Sequence, residues 1–188
     1  MRWCSLFLAL FLPATALAEQ WQIDPETRVS VDVAWRNTVV TVDFPAISGE
    51  VIFDERHPER ARAVIHVATG SASTGLGPVD ALVRSRDYLA AARHPTITFH
   101  LETLKPISRS AAEISGRITM RGHTRPAEFD ARVIRYGPAA DNPDRFVAGF
   151  DVTGEIDRTA FGSTGGLPDV PAMLPVRVRL VMSSRGPA

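Results

Sequence analysis

The stretch running from Gly116 to Val133, GRITMRGHTRPAEFDARV, narrows most sharply what this chain can fold into. Two alternating runs flank the turn signal RGHTRP. Ile118 and Met120, then Ala127, Phe129, Ala131 and Val133, share one phase. Arg117, Thr119 and Arg121, then Glu128, Asp130 and Arg132, share the other. Period two is the spacing of a strand, so this is a hairpin with one apolar face. That face needs an apolar partner, either a packed core or a bound molecule.

The same period recurs along the chain. RVSVDVAWR puts Val29, Val31, Val33 and Trp35 together, and VVTVDF does the same for Val40, Val42 and Phe44. Further runs pair Val51 with Phe53, group Ala63, Ile65 and Val67, and group Ile97, Phe99 and Leu101. LPVRVRLVM sets Val176, Val178, Leu180 and Met182 against Arg177 and Arg179. Turn signals such as DERHPER, KPISRS and GPAADNPDR separate the runs. The expectation is an all-β protein, an extended antiparallel barrel of about eight strands, because closure removes exposed edges. One segment breaks the pattern. GLGPVDALVRSRDYLAAARHP places Val79, Leu82 and Val83 at helical spacing between Pro78 and Pro95, which predicts one or two short helices within residues 78–92.

At 188 residues the chain can bury a sizeable core in one domain. The first 18 residues stand apart: Arg2, an apolar run from Leu6 to Leu12, Pro13 and then Ala16-Leu17-Ala18. That is the pattern of a secretory signal peptide cleaved after Ala18, and the run is too short to span a bilayer. The expected units are therefore a leader, 1–18, and a mature domain, 19–188, in the periplasm without stable membrane insertion. Cys4, the single cysteine, lies in the leader, so the mature chain has no thiol for disulfides, catalysis or metal binding. The totals are 21 basic and 21 acidic residues, so loss of Arg2 leaves a net charge of about −1. Without a basic stripe, nucleic acid is excluded as a partner.

Catalytic patterns are weak. His57, His66, His94, His100 and His123 form no metal-ligand spacing. No nucleophile elbow appears, and ATGSASTGLG lacks the lysine of a phosphate loop. Asp54 with Glu55, or Asp151 with Asp157, are better read as solvated carboxylates than as a cross-cleft pair. The chain is read as a binding protein, not an enzyme, with no required cofactor and no metal. What remains is the apolar interior. An eight-stranded barrel can be filled by side chains or hold one small ligand, and periodicity leaves both open.

Several motifs, taken together and in order, resemble the YceI-like family. LVRSRDYLAAARHPTITFHLETL carries the likeness through Leu82, Arg84, Asp87, Tyr88, Leu89, Pro95, Ile97, Thr98 and Phe99. ISGRITMRGHTRPAEFDARV carries it through Gly116, Ile118, Thr119, Gly122, Thr124 and Pro126. GEIDRTAFGS adds Ile156, Arg158, Phe161 and Gly162, and the N-terminal part adds Asp24, Gly49, Phe53 and Asp54. The resemblance implies a lipocalin-like barrel with a long apolar cavity, in an exported protein that holds a polyisoprenoid, an isoprenoid quinone or another long-chain fatty amphiphile. An isoprenoid quinone or polyprenyl lipid would be ligand, not cofactor. The ligand-lining candidates are Val31, Val33, Trp35, Phe99, Ile118, Met120, Phe129, Phe150 and Phe161. Arg84, Asp87 and Arg158 are expected to cap the helix or tie it to the barrel, in preference to binding a ligand headgroup. The loop GSTGGLPDVPAML either shapes a cavity mouth or simply connects strands. The chain departs from the family at Thr27 and Arg28, in the region where a His-Ser pair is common, near Trp35, where the first long strand often has a histidine, and at Val31, where Phe is common. Monomer and homodimer both stay open.

Overall fold

The structure, a computed structural model, describes residues 20–185, so the expected signal peptide, 1–18, and its expected cleavage after Ala18 lie outside the described residues. Ten strands form one sheet: β1 (Gln20–Ile23), β2 (Arg28–Trp35), β3 (Thr38–Phe44), β4 (Ile47–Ile52), β5 (Arg62–Ala68), β6 (Thr96–Pro106), β7 (Ala111–Met120), β8 (His123–Pro138), β9 (Phe146–Asp157) and β10 (Met173–Ser184). Every pairing is antiparallel. β10 pairs with β9 along its whole length and, on its other side, with both β1 and β2. The sheet therefore closes on itself as an eight-stave, antiparallel barrel. Two staves are broken: β1 and β2 share one, β3 and β4 the next.

The breaks have local causes. Residues 24–27 leave the wall between β1 and β2, and Thr27, fully buried, bonds through its hydroxyl to the backbone of Val181. Pro45 follows β3, where it cannot donate to a ladder. In an up-and-down barrel, alternate connections share an end. One end thus carries the β2–β3 turn (36–37), the β5–β6 connection (69–95), the β7–β8 turn (121–122) and the β9–β10 connection (158–172). We call this the capped end. The opposite end carries 53–61, 107–110, 139–145 and both described termini.

The inward phases match the expected ones on β2, β3, β5, β6, β7 and β10. β8 changes phase midway, because Ile134 is an extra residue: Val133 pairs with Phe150 and Arg135 with Gly149. Odd residues face inward before the bulge, and Tyr136 does so after it. Three buried clusters result. One, at the capped end, holds Val31, Val42, Phe44, Val67, Ala72, Leu174 and Val176. A second, beside it, holds Ile118, Met120, Ala127 and Phe161. The third, at the opposite end, holds Trp21, Val51, Ala148 and Met182. Arg177 and Asp32, and Arg179 and Asp151, pair outside the wall, where ion pairs add little.

The cap is tied by polar contacts. The predicted helical segment yields one α-helix, α1 (Gly77–Arg84); Ser85 leaves helical geometry and the chain continues as turns through Ala90, whose φ is 50°. Asp80 on α1 is buried and accepts hydrogen bonds from the Thr74 amide and hydroxyl and from the Ser73 hydroxyl. Arg84 donates to the Ala72 carbonyl and lies 3.5 Å from Asp80. Arg158 is only 3% exposed. Its guanidinium donates to the carbonyls of Pro171, Ser163 and Val170 at 2.8–2.9 Å, fastening the 162–172 loop. Burial pushes its pKa below the usual value, which Tyr88 and Asp157 oppose. Arg121 donates to the carbonyls of Arg86, Tyr88 and Phe161, which links three connections. Asp87 contributes its backbone carbonyl, to the Gly165 amide, while its side chain is exposed.

Two predictions follow from these ties. Arg158→Met leaves three carbonyls without donors and should cost about 3 kcal/mol or more of stability in denaturant melts, with new protease cleavage within 162–172. The Thr74 amide and hydroxyl, then Ser73 and Arg84, hold the Asp80 carboxyl below its ordinary pKa, against the effect of burial. Its stabilisation is therefore complete above about pH 4 and is lost as pH falls below that. Asp80→Asn should lower Tm by a few degrees at pH 7, and the gap from wild type should close in acid.

Candidate functional site

The candidate site is the barrel interior between the clusters. Ile65 on β5 packs against both the first capped-end cluster and the opposite-end cluster. Ile97 and Phe129 join the two capped-end clusters. These residues, with Phe99, Phe150, Val178 and Leu180, face inward but are only half-buried. Apolar side chains in a sealed core are normally close to fully buried. The side chains in the middle of this barrel are less completely buried than those of the end clusters, and the wall there is aliphatic and aromatic.

Glycines shape that wall. A Cβ on Gly116 of β7 would lie 2.6 Å from the Phe99 ring, and one on Gly154 of β9 would lie 2.5 Å from the Phe129 ring. Both rings therefore lie down over glycines instead of projecting across the lumen. They meet edge to face, with centroids 5.7 Å apart. A second aromatic run extends toward the opposite end: Phe150 meets Phe53 at 5.9 Å, Phe53 meets Trp21, and Trp21 meets Tyr136. The Trp21 indole N–H is satisfied by the Phe53 carbonyl at 3.0 Å.

The nine candidates are placed unevenly. Phe99, Phe129 and Phe150 belong to the half-buried band. Ile118, Met120 and Phe161 form the closed floor beneath the cap, with Phe161 in a 3-10 turn (Arg158–Phe161) that leaves the wall. Val31 is buried in the first capped-end cluster and Val33 packs on its edge. Trp35 is a correction to its expected inward setting. It keeps the inward phase, but β2 pairs with β10 only as far as Val31, so Trp35 overhangs the rim and is 42% exposed. Sequence reasoning passed over Trp21, Phe53, Tyr136 and Phe146 as lining. Phe53 shares the phase of Val51, a visible signal; Tyr136 was hidden by the bulge at Ile134.

Other candidate chemistry is engaged elsewhere. Asp151 pairs with Arg179 outside the barrel, and Asp157 caps the 3-10 turn by accepting from the Thr159 amide and hydroxyl. His66 meets Thr98 on the outer face. Two clefts, of about 400 and 640 Å³, share Arg145 and lie outside the wall; none of the half-buried band lines them. The loop GSTGGLPDVPAML is part of the cap, with Tyr88 lying on Gly165 and the Arg158 guanidinium 6.0 Å from the Tyr88 ring.

The YceI-like domain signature matches residues 21–183. The chain belongs to the YceI-like family. It is 28% identical over 163 residues to a UPF0312 protein of Pseudomonas aeruginosa strain LESB58, covering 82% of this chain and 81% of that one. It is 30% identical over 124 residues to a UPF0312 protein of Ectopseudomonas mendocina, covering 66% and 64%. Among solved structures, Burkholderia cenocepacia BcnA superposes with a TM-score of 0.74 at 21% identity, covering 85% of this chain and 98% of that one. A polyisoprenoid binding domain from Saccharophagus degradans, implicated in plant cell wall breakdown, superposes at 0.65 and 13% identity, covering 87% and 98%. These likenesses establish the YceI-like barrel as the fold.

The ring-over-glycine arrangement is testable. Gly154→Ala places a methyl against the Phe129 ring and the Glu128 carbonyl, and should cost about 1–3 kcal/mol by overpacking. Pairing it with Phe129→Leu should recover part of that cost, giving a coupling of about 1 kcal/mol in a double-mutant cycle of denaturant melts.

Proposed function

We propose that this YceI-like protein is an exported carrier that holds a long apolar chain inside its barrel without chemical change. The observation that carries the reading is the band of inward-facing, half-buried side chains around Ile65, Phe99, Phe129 and Phe150. Such a wall has few polar atoms to fix a headgroup, but it suits a slender hydrocarbon along its length. Each buried CH₂ contributes about 0.8 kcal/mol before the costs of association, so a long tail binds firmly through area alone. The structural neighbour described as a polyisoprenoid binding domain supports the ligand class. Within that class we favour a polyprenyl lipid, an isoprenoid quinone or a fatty amphiphile. The leader pattern of residues 1–18 supports export to the periplasm.

The test is native mass spectrometry of protein freshly purified from a periplasmic fraction, followed by solvent extraction and lipid identification. The expected result is a stoichiometric long-chain adduct on a chain that begins after Ala18. Ligand-free protein that also takes up no added quinone or fatty amide would overturn the carrier reading in favour of a side-chain-filled barrel. Phe99→Asp, if it still folds, should lose the adduct.

A further inference from the structure

We propose that the capped end of the barrel is a docking face for an anionic lipid bilayer; the inference rests on the carrier reading, since a carrier must meet the membrane that holds its cargo. Among the described residues, ten large apolar side chains are strongly exposed, and six of them lie at this one end. Trp35 and Val39 sit at the β2–β3 tip, Leu76 and Leu82 precede and ride on α1, and Leu167 and Met173 belong to the end of the β9–β10 connection and the start of β10. Helix α1 packs Val83 on the core and buries Asp80, yet leaves Leu82 facing water. Exposed apolar groups from four elements, gathered at one pole, mark an interaction surface rather than scattered surface leucines.

The charge pattern selects the occupant. Exposed charges on the capped-end connections are Arg36, Arg86 and Arg93 against Asp87 and Asp169, while just inside the strand ends Arg125 of β8 is offset by Glu155 of β9. On the connections at the opposite end the exposed charges are four acids, Glu55, Glu59, Asp141 and Asp144, against three arginines, Arg56, Arg60 and Arg109. One pole is therefore apolar with a slight cationic excess, and the other slightly acidic. Trp35 stands at the very tip, with the Arg36 guanidinium 5.8 Å from its ring. An indole beside a guanidinium suits the headgroup level of a bilayer, where the ring enters the interface and the cation meets lipid phosphate. Arg36 itself holds the turn with a φ of 54°.

The experiment is flotation of the full mature protein with phosphatidylcholine vesicles, with and without phosphatidylglycerol, read alongside Trp emission. Trp21 is 1% exposed and Trp35 is 42% exposed, so a blue shift on vesicle addition reports Trp35. Anionic vesicles should bind the protein, raised salt should release it, and Val39→Asp with Leu82→Asp should weaken binding roughly tenfold with an unchanged Tm. Arg36→Glu with Arg93→Glu should abolish the preference for phosphatidylglycerol. Wild type that neither floats nor shifts its emission, or variants that float as well as wild type, would sink the proposal. Loss of a concentration-dependent dimer in the same variants, without vesicle binding, would also overturn it and assign the face to a second copy. Cargo, measured by mass spectrometry on the same samples, separates the two readings: vesicle binding by protein that never carries lipid leaves the dock standing and removes the carrier function.

Discussion

Everything in this molecule depends on β10 finding partners on both sides. Along one flank it is zipped to β9 through twelve residue pairs. Along the other it meets β2 at Val176–Arg179 and β1 at Met182–Ser183. An open sheet of these strands would leave a row of unpaired amides and carbonyls at each edge, and a long apolar face in water. Closure removes both problems together. It also divides the first stave between two jobs: β1 seals the end with Trp21, while β2 runs on past the rim and carries its tip beyond the wall.

The interior reflects a conflict between filling and leaving room. Three clusters, which mix aliphatic side chains with Trp21, Phe44 and Phe161, reach full burial near the two ends, where the connections add extra groups such as Phe161 and Ala72. In the middle the larger rings are laid against the wall. Gly116 and Gly154 make that possible, since any Cβ there would occupy the space of Phe99 or Phe129. A glycine inside a strand weakens it. Its presence opposite a ring at two positions on neighbouring sides of the lumen is consistent with a wall selected for clearance, and it is the feature that most separates this interior from a solid core.

Much of this was legible in the sequence, and the gaps have physical causes. Alternation exposed the inward phase of nearly every strand because each buries one face and wets the other. Pro78 marked the start of α1, and the end of the helix at Ser85 could not be read, since it depends on backbone bonds from Leu89 and Ala90 back to Val83 and Ser85 at the helix C-terminus. The Ile134 bulge reversed the phase of β8, so Tyr136 was invisible as an inward residue. Trp35 shows the opposite failure: its phase is right, but phase says nothing about how far a strand outruns its neighbours. Arg158 was read as a structural tie, but the loop it fastens, through the carbonyls of Pro171, Ser163 and Val170, was not. Arg158 continues the inward phase of Gly154 and Ile156, and a cation on that phase must either be satisfied by carbonyls or destabilise the fold.

The two parts of the molecule are held by different physics. The barrel relies on apolar clusters and a closed ladder, both indifferent to whether the lumen is occupied near its middle. The cap relies on hydrogen bonds from Arg158, Arg121 and Arg84 to backbone carbonyls, and on Asp80 gathering Ser73 and Thr74. Such contacts strengthen as the surrounding dielectric falls, because competing water is removed. An apolar environment pressed against the capped end would thus tighten its internal ties while welcoming its exposed leucines and Trp35. A cap built from apolar packing alone would behave oppositely, dissolving into the same surroundings. The polar ties let this end offer greasy side chains outward without giving up the floor of Ile118, Met120 and Phe161 that they cover.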